Sequence, residues 1–265
     1  KMKICPVILC GGVGSRLWPA SQPSLPKQFL KFNSKYSLFQ NTILRITDKT
    51  LFSKPLIICS DKYKFRTASE LESLNIEPLA IITEPEQRNT AAAITTAAMF
   101  LEKYYHEFQK MLVIASDHII QDTNNFLQYI TNLNKANTKD LIVTFGIHPN
   151  HPAIGYGYIK QSTPLHDSLF KVEQFIEKPP LDIAMKLIKD KVNLWNSGMF
   201  FFYSNTILQE IKHYKPDIYN YISNTVNETK QDQCFYSIQP HSDFHKCENI
   251  SIDYAIMEKT KKDSL

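Results

Sequence analysis

The chain has 265 residues, enough for one large α/β domain or two small ones with a substantial core. Hydrophobic residues make up 43% and charged residues 21%, a globular composition with no apolar stretch long enough to span a bilayer and no signal-peptide pattern ahead of the first strand. The net charge of +4 is mild and dispersed, which argues against nucleic acid as a partner and is compatible with a small polyanionic substrate.

Residues 7–10 are an apolar run that predicts a buried strand, and it ends abruptly in Gly11-Gly12-Val13-Gly14-Ser15-Arg16. Such a glycine turn is either a tight connection or a place where the backbone approaches an anion with its N–H groups free. Arg16 adds a fixed cationic fork and Lys27 a mobile point charge. The spacing lacks the lysine of a P-loop, and Leu17 stands where a dinucleotide-binding fingerprint needs its last glycine.

Further along, Ser37-Leu38-Phe39-Gln40 has the form of a capping box and predicts a helix to about residue 46. Strands are expected at 55–60, 79–83, 111–115 and 141–145, and helices at 61–74, 91–108 and 126–136. This alternation predicts a doubly wound sheet in which ligands gather beyond the carboxyl ends of the strands. The second half changes character: 155–159, 169–176 and 199–203 predict longer strands forming a lid, with helices at 207–213 and 218–226. No linker or repeat marks a domain boundary. The five cysteines form no CxxC pair, and Cys5, Cys10 and Cys59 lie in apolar runs, so buried free thiols in a reducing cytoplasm are expected.

Several polar groups fall at the predicted strand ends. Asp117, in Ser116-Asp117-His118, is placed either to hold a divalent cation or to cap the next helix. Asp253, in Ser251-Ile252-Asp253, has the same two readings. Glu84 with Arg88-Asn89-Thr90 is either a ligand-facing motif or a helix start capped by Asn89 or Thr90. Gly155, Tyr156, Gly157, Glu177, Lys178, Asn196 and Ser197 can form a sugar-phosphate site; singly they are bulge glycines, a surface ion pair and turn residues. His148/His151 and His241/His245 with Cys247 lack the four ligands of a structural zinc site.

Taken together, GGVGSRLWPAS and PKQF resemble the signature of the sugar-nucleotide pyrophosphorylases, in particular their mannose-1-phosphate guanylyltransferase branch. EPEQRNTAAAI, SDH, GYGYI, FIEKP, WNSGMF and SIDYAIME follow in the family's order from residue 7 to 258. Two departures stand out: Ala92 where the pattern has proline, and Ala153-Ile154 where it has Glu-Thr. The resemblance implies a Rossmann-like three-layer α/β nucleotidyltransferase fold, with a mostly parallel mixed central sheet and a sugar-binding lid. It implies one catalytic core over 1–265, without the family's C-terminal β-helix or isomerase domains. The implied reaction transfers GMP from GTP to mannose 1-phosphate, giving GDP-mannose and pyrophosphate, with Mg²⁺ on Asp117 and Asp253. Arg16 and Lys27 join these two aspartates as the implied catalytic set. The nucleotide is expected on Leu9, Gly11, Gly12, Gly14, Ser15, Arg16 and Lys27, with Ser116 and Asp117 below it and Glu84, Arg88, Asn89 and Thr90 lining the guanosine. The sugar phosphate is expected on the residues from Gly155 to Ser197 named above. A GDP-glucose or dTDP-glucose enzyme and a non-catalytic sugar-nucleotide sensor are the alternatives; a homodimer stays open, and neither nucleic acid nor membrane is an expected partner.

Overall fold

The computed structural model describes residues 2–11, 26–32, 34–106, 110–166 and 168–260. Strand β1 (Ile4–Cys10) pairs in parallel with β2 (Leu56–Ser60) on one side and β4 (Lys110–Ala115) on the other, and β3 (Ala80–Glu84) adds to β2. Both faces of this parallel block are buried, so its strands are nearly continuous hydrophobic runs. The side-chain period of two divides them cleanly. Cys5 and Val7 of β1, Leu56 and Ile58 of β2, and Met111 and Val113 of β4 fill one core layer. Ile4, Ile8, Ile57, Cys59, Leu112 and Ile114 fill the other.

Helices cover the two faces. On the first lie α3 (Asn89–Tyr104), α6 (Ser204–Tyr214) and α7 (Pro216–Glu228), and on the second α1 (Leu38–Leu44), α2 (Lys64–Glu72) and α4 (Thr123–Lys135). The alanines of α3 (91, 92, 93, 97 and 98) are all buried, and their small volume lets the helix lie close on the sheet. The capping box at α1 forms as its sequence predicts. The Gln40 N–H donates to the Ser37 hydroxyl, and the Ser37 N–H donates to the Gln40 side chain, each at 3.1 Å.

The mixed part of the sheet is built on β8 (Asn193–Tyr203). Its carboxyl half pairs antiparallel with β4, and its amino half pairs with β6 (Tyr158–His166) along the same edge. The opposite edge takes β5 (Val143–Ile147), and β7 (Leu169–Ile176) completes a hairpin with β6. A short helix, α5 (Leu181–Leu187), buries Ala184 in a small satellite core with Tyr158 and Trp195. One strand thus joins the parallel block to the lid. Between its two pairings lies 196–199, where Gly198 has φ of +74°, a left-handed turn that suits glycine.

Element boundaries differ from the sequence reading in instructive places. The strand expected from residue 155 starts at Tyr158, although the Gly157 carbonyl still accepts the Asn196 N–H of β8 at 2.8 Å. Helix α3 starts at Asn89 rather than 91 and carries no side-chain cap at Arg88. Two short strands, β9 (Lys230–Asp232) and β10 (Phe235–Ser237), extend the sheet beyond β3 with no sequence signal strong enough to mark them. All five cysteines are free thiols, four of them buried. Among the described residues no helix is long and apolar enough to cross a membrane.

Candidate active site

The carboxyl rim of the parallel block gathers the first group of expected residues. Strand β1 runs through Leu9 to Gly11, and the Leu9 carbonyl accepts the Ser116 N–H at 3.0 Å, so β4 delivers Ser116 and Asp117 beside the start of the glycine turn. Lys27, in a short 3-10 turn (Lys27–Phe29), reaches across to the Asp117 carboxylate at 3.0 Å, with both side chains about one-third exposed. The remainder of the glycine turn, with Gly12, Gly14, Ser15 and Arg16, lies outside the described residues. His118, next to Asp117, is partly buried, and this desolvation lowers its pKa.

The lid supplies the second group. Gly157, Glu177 and Asn196 meet: a Cβ built on Gly157 would stand 2.5 Å from Glu177 Oε2 and 3.4 Å from Asn196 Cβ. The Glu177 side chain is only 6% exposed and pairs with Lys178, whose backbone holds φ of +45°. Burial works against the Lys178 charge, but the Glu177 carboxylate outweighs it and raises the lysine pKa. Tyr156 is exposed and sits edge-on to Trp195 with ring centroids 5.1 Å apart, while Gly155 borders open space. The Ser197 hydroxyl turns back to accept the Met199 N–H at 3.2 Å.

Asn196 joins the lid to the stretch that carries Asp253. Its Nδ2 donates to Asp253 Oδ1 at 2.8 Å, while its own Oδ1 accepts the Thr144 hydroxyl at 2.6 Å and the Gly198 N–H at 3.2 Å. Those two donors fix which way the amide faces, leaving its NH₂ for the carboxylate. Strands β4 and β8 run on past their last pair, Val113 with Phe200, toward the same end of the sheet. Asp117 and Asn196, and through Asn196 also Asp253, therefore lie toward the same end of the sheet. Asp253 opens a single π-helical turn (Asp253–Met257), an irregularity common at functional sites. Burial, reinforced by the nearby Glu177 charge, pushes its pKa up to about 6 despite the bonds from its own backbone and Asn196 and the Lys178 charge.

The third group, at the end of β3, is tied to the second by backbone. Thr90 does not cap α3; its hydroxyl accepts the Ile252 N–H at 2.8 Å, and the Ala91 N–H donates to the Ile250 carbonyl at 3.2 Å. Asn89 takes the left-handed conformation, φ +64°, with its side chain accepting the Thr90 N–H at 2.9 Å. Arg88 pairs with Glu86 and reaches the Cys247 carbonyl. Glu84 is 8% exposed and among the described residues its Oε1 has no partner; burial pushes its pKa up to about 8.

Two residues of this cleft escaped the sequence reading. Thr144, which orients Asn196, carried no signal, because threonine is ordinary in a strand. Glu258 stood within the last motif, and its carboxylate accepts the Glu177 N–H at 2.9 Å, holding the lid to the π-helical turn. A substitution probes the packing here. In Gly157→Ala the new methyl is expected to displace the flexible end of Glu177 rather than backbone, since the glycine φ is not left-handed. Melting within a few degrees of the parent, with loss of roughly 10-fold in affinity for the lid-side ligand, is the expected outcome by titration calorimetry. Unchanged affinity would mean that Glu177 does not touch that ligand.

Comparison with known proteins agrees with this architecture. The family model described as Nucleotidyl transferase matches residues 5–243. A Salmonella muenchen protein named mannose-1-phosphate guanylyltransferase is 42% identical over 260 residues, which cover 98% of this chain and 54% of that protein. The chain spans about half the length of the curated relatives it matches. Among solved structures, a Helicobacter pylori protein described as mannose-6-phosphate isomerase superposes with a TM-score of 0.83 at 28% identity, covering 98% of this chain and 95% of that one. A Thermus thermophilus protein described as mannose-1-phosphate geranyltransferase gives 0.81 at 25% identity, covering 98% and 72%. From a family match over most of its length, on a sheet whose carboxyl rim carries the matching motifs, the chain belongs to the nucleotidyl transferase family.

Proposed function

We propose that this chain transfers GMP from GTP to mannose 1-phosphate, giving GDP-mannose and pyrophosphate. The observation that carries the proposal is the Asn196–Asp253 bond, which ties the lid-side constellation of Gly157, Glu177 and Lys178 to the turn that carries Asp253, at the end of the sheet toward which β4 runs to Asp117. Relatives named mannose-1-phosphate guanylyltransferase support the choice of base and sugar. A sugar phosphate is mostly dianionic near neutral pH, with a second pKa of about 6 for a phosphate monoester, so the attacking oxygen needs no general base. The obstacle is the approach of one polyanion to another.

The chain's own charges are arranged against that repulsion. Lys27 stands beside Asp117 where the triphosphate enters, and Lys178 stands at the lid where the sugar phosphate enters. Arg16, outside the described residues, is assigned with the glycine turn to the triphosphate. Glu177 and Asn196 accept from and donate to sugar hydroxyls, fixing the attacking phosphate in line with the α-phosphorus. Glu84, held protonated by burial, is assigned to the edge of the guanine with Arg88, Asn89 and Thr90 around it.

The donor set fits a hard divalent cation. Asp253 is a half-buried carboxylate close to a second one, Glu177, and Asp117 is a carboxylate just beyond the end of β4, about one-third exposed. One or two carboxylates with substrate phosphates is how proteins usually hold Mg²⁺. Asp117 and Asp253 would hold it, and it would supply charge neutralisation to the triphosphate and leaving pyrophosphate.

The test is pyrophosphate release by the purified chain with Mg²⁺, over a panel of GTP, dTTP and UTP against mannose 1-phosphate and glucose 1-phosphate. The expected result is turnover with GTP and mannose 1-phosphate at least about 100-fold above any other pair. Preference for another pair would assign a different sugar nucleotide. Binding of GTP and sugar phosphate without turnover would make the chain a sensor.

A further inference from the structure

We infer that helix α1 and its end position Asp117, through Thr42 and Arg45, neither of which is among the residues assigned to the substrates. The inference rests on the role proposed above for Asp117. Strand β4 ends at Ala115, and after the Ser116 N–H has bonded to Leu9 the chain turns away from the sheet. Among the described residues no strand or helix backbone satisfies the carbonyls at 116 and 118, on either side of Asp117; Arg45, at the end of α1, donates to the one at 118, and the one at 116 shares the single Thr42 hydroxyl hydrogen with Leu38. The Thr42 hydroxyl, already bonded to the Leu38 carbonyl at 3.0 Å, lies 3.3 Å from the Ser116 carbonyl. Arg45, one turn further and on the same face, donates from Nη2 to the His118 carbonyl at 2.7 Å.

Arg45 is the more telling of the two. It is 6% exposed, desolvation lowers its pKa, and among the described residues its Nη1 has no partner. Among the described residues it has one backbone carbonyl and no carboxylate. A buried guanidinium placed so costs several kcal/mol of desolvation that one carbonyl does not recover, so stability alone gives no reason for it. Its placement is explained if the gain is geometric: a charge-assisted bond is short and directional, and it fixes the backbone one residue beyond Asp117.

The clamp is itself anchored. Ser37 at the head of α1 donates its hydroxyl to Glu70 Oε2 at 2.7 Å, and Gln40 donates to Ser73 Oγ at 2.7 Å and the Glu70 carbonyl at 3.2 Å, all on the α2 side. Lys27 meets the Asp117 carboxylate directly. Backbone on both sides and the carboxylate itself are thereby held from separate elements, the support a reacting group needs to stay within a fraction of an ångström.

The test compares Arg45→Ala, Arg45→Lys and Thr42→Val with the parent chain, in GTP and mannose 1-phosphate turnover and in hydrogen exchange at the 116–120 amides. Arg45→Ala is expected to lower kcat about 10- to 100-fold, with KM for GTP within about 3-fold. Exchange should accelerate at 116–120 and stay unchanged in β1 and the rest of β4. Arg45→Lys keeps a donor and a charge and should recover most of the loss. Thr42→Val, nearly isosteric, should show a smaller fall with the same local exchange pattern, and it decides the matter should Arg45→Ala fail to fold. Parent-like kcat and exchange, or a loss of activity matched by faster exchange throughout the sheet, would overturn the inference. Asp117→Asn is measured alongside. If it keeps full turnover, the proposed role of Asp117 fails, while the exchange data still judge whether α1 holds the loop.

Discussion

Asp253→Asn is expected to lower kcat by about 10³-fold or more while leaving the affinity for GTP within about 10-fold. The substitution is clean because asparagine keeps an Oδ1 to accept from Asn196, the bond that now measures 2.8 Å. It removes only the charge, and with it the repulsion from Glu177 that helps raise the Asp253 pKa to about 6. The variant should therefore melt no lower than the parent, which separates a chemical loss from an unfolding one. Asp117→Asn should behave alike in turnover, although Lys27 then loses its ion pair. Stopped-assay kinetics with parallel GTP titration distinguish the outcomes: equal losses in turnover and binding would count against a cation role for either carboxylate.

Glu84→Gln is expected to stabilise the ligand-free protein strongly at pH 8, only slightly at pH 5, and not at all below the unfolded-state pKa of 4.5. Burial raises the Glu84 pKa from 4.5 in the unfolded chain to about 8 in the folded one. Below 4.5 both states carry the proton, and the group contributes no pH dependence. Between 4.5 and about 8 the unfolded chain releases it while the folded one keeps it, so stability falls by up to about 1.4 kcal/mol per pH unit. Above pH 8 the loss is complete and constant. Glutamine cannot ionise, so the difference between variant and parent in urea unfolding at pH 5, 6.5 and 8 isolates this one group from all others that titrate. Parallel stability curves would show that the Glu84 carboxyl is not desolvated in solution.

The two expectations differ in how far sequence alone could reach them. The glycine turn, the order of strands and helices and the Ser37–Gln40 capping box were legible because each is a local preference: backbone freedom, period-two burial, a hydroxyl three residues from an amide. The grouping of Gly157, Glu177, Asn196 and Asp253 was suggested by motif order, yet what joins them is not local. Asn196 faces Asp253 because Thr144, on another strand, holds its carbonyl oxygen.

The exceptions have the same origin. Thr90 looked like a helix cap, and its hydroxyl instead binds Ile252, 162 positions away in sequence. Asp253 looked like a cap as well, and it opens a π-helical turn whose extra residue per turn no pattern announces. Arg45 would pass for an exposed helical arginine; only the fold shows it buried on the His118 carbonyl. Lys230–Asp232 and Phe235–Ser237 are too short to carry a period, and they become strands because β3 offers an edge to pair with.

The central claim is that carboxylates from two distant stretches of chain hold one cation at which two phosphates meet. Its most direct measurement is anomalous diffraction from crystals of the chain grown with Mn²⁺ and a non-hydrolysable GTP analogue. A single strong peak is expected at coordination distance, roughly 2.0–2.3 Å, from carboxylate oxygens of both Asp117 and Asp253. A peak bound to neither aspartate, with the analogue's phosphates lying beside Lys27, would contradict it.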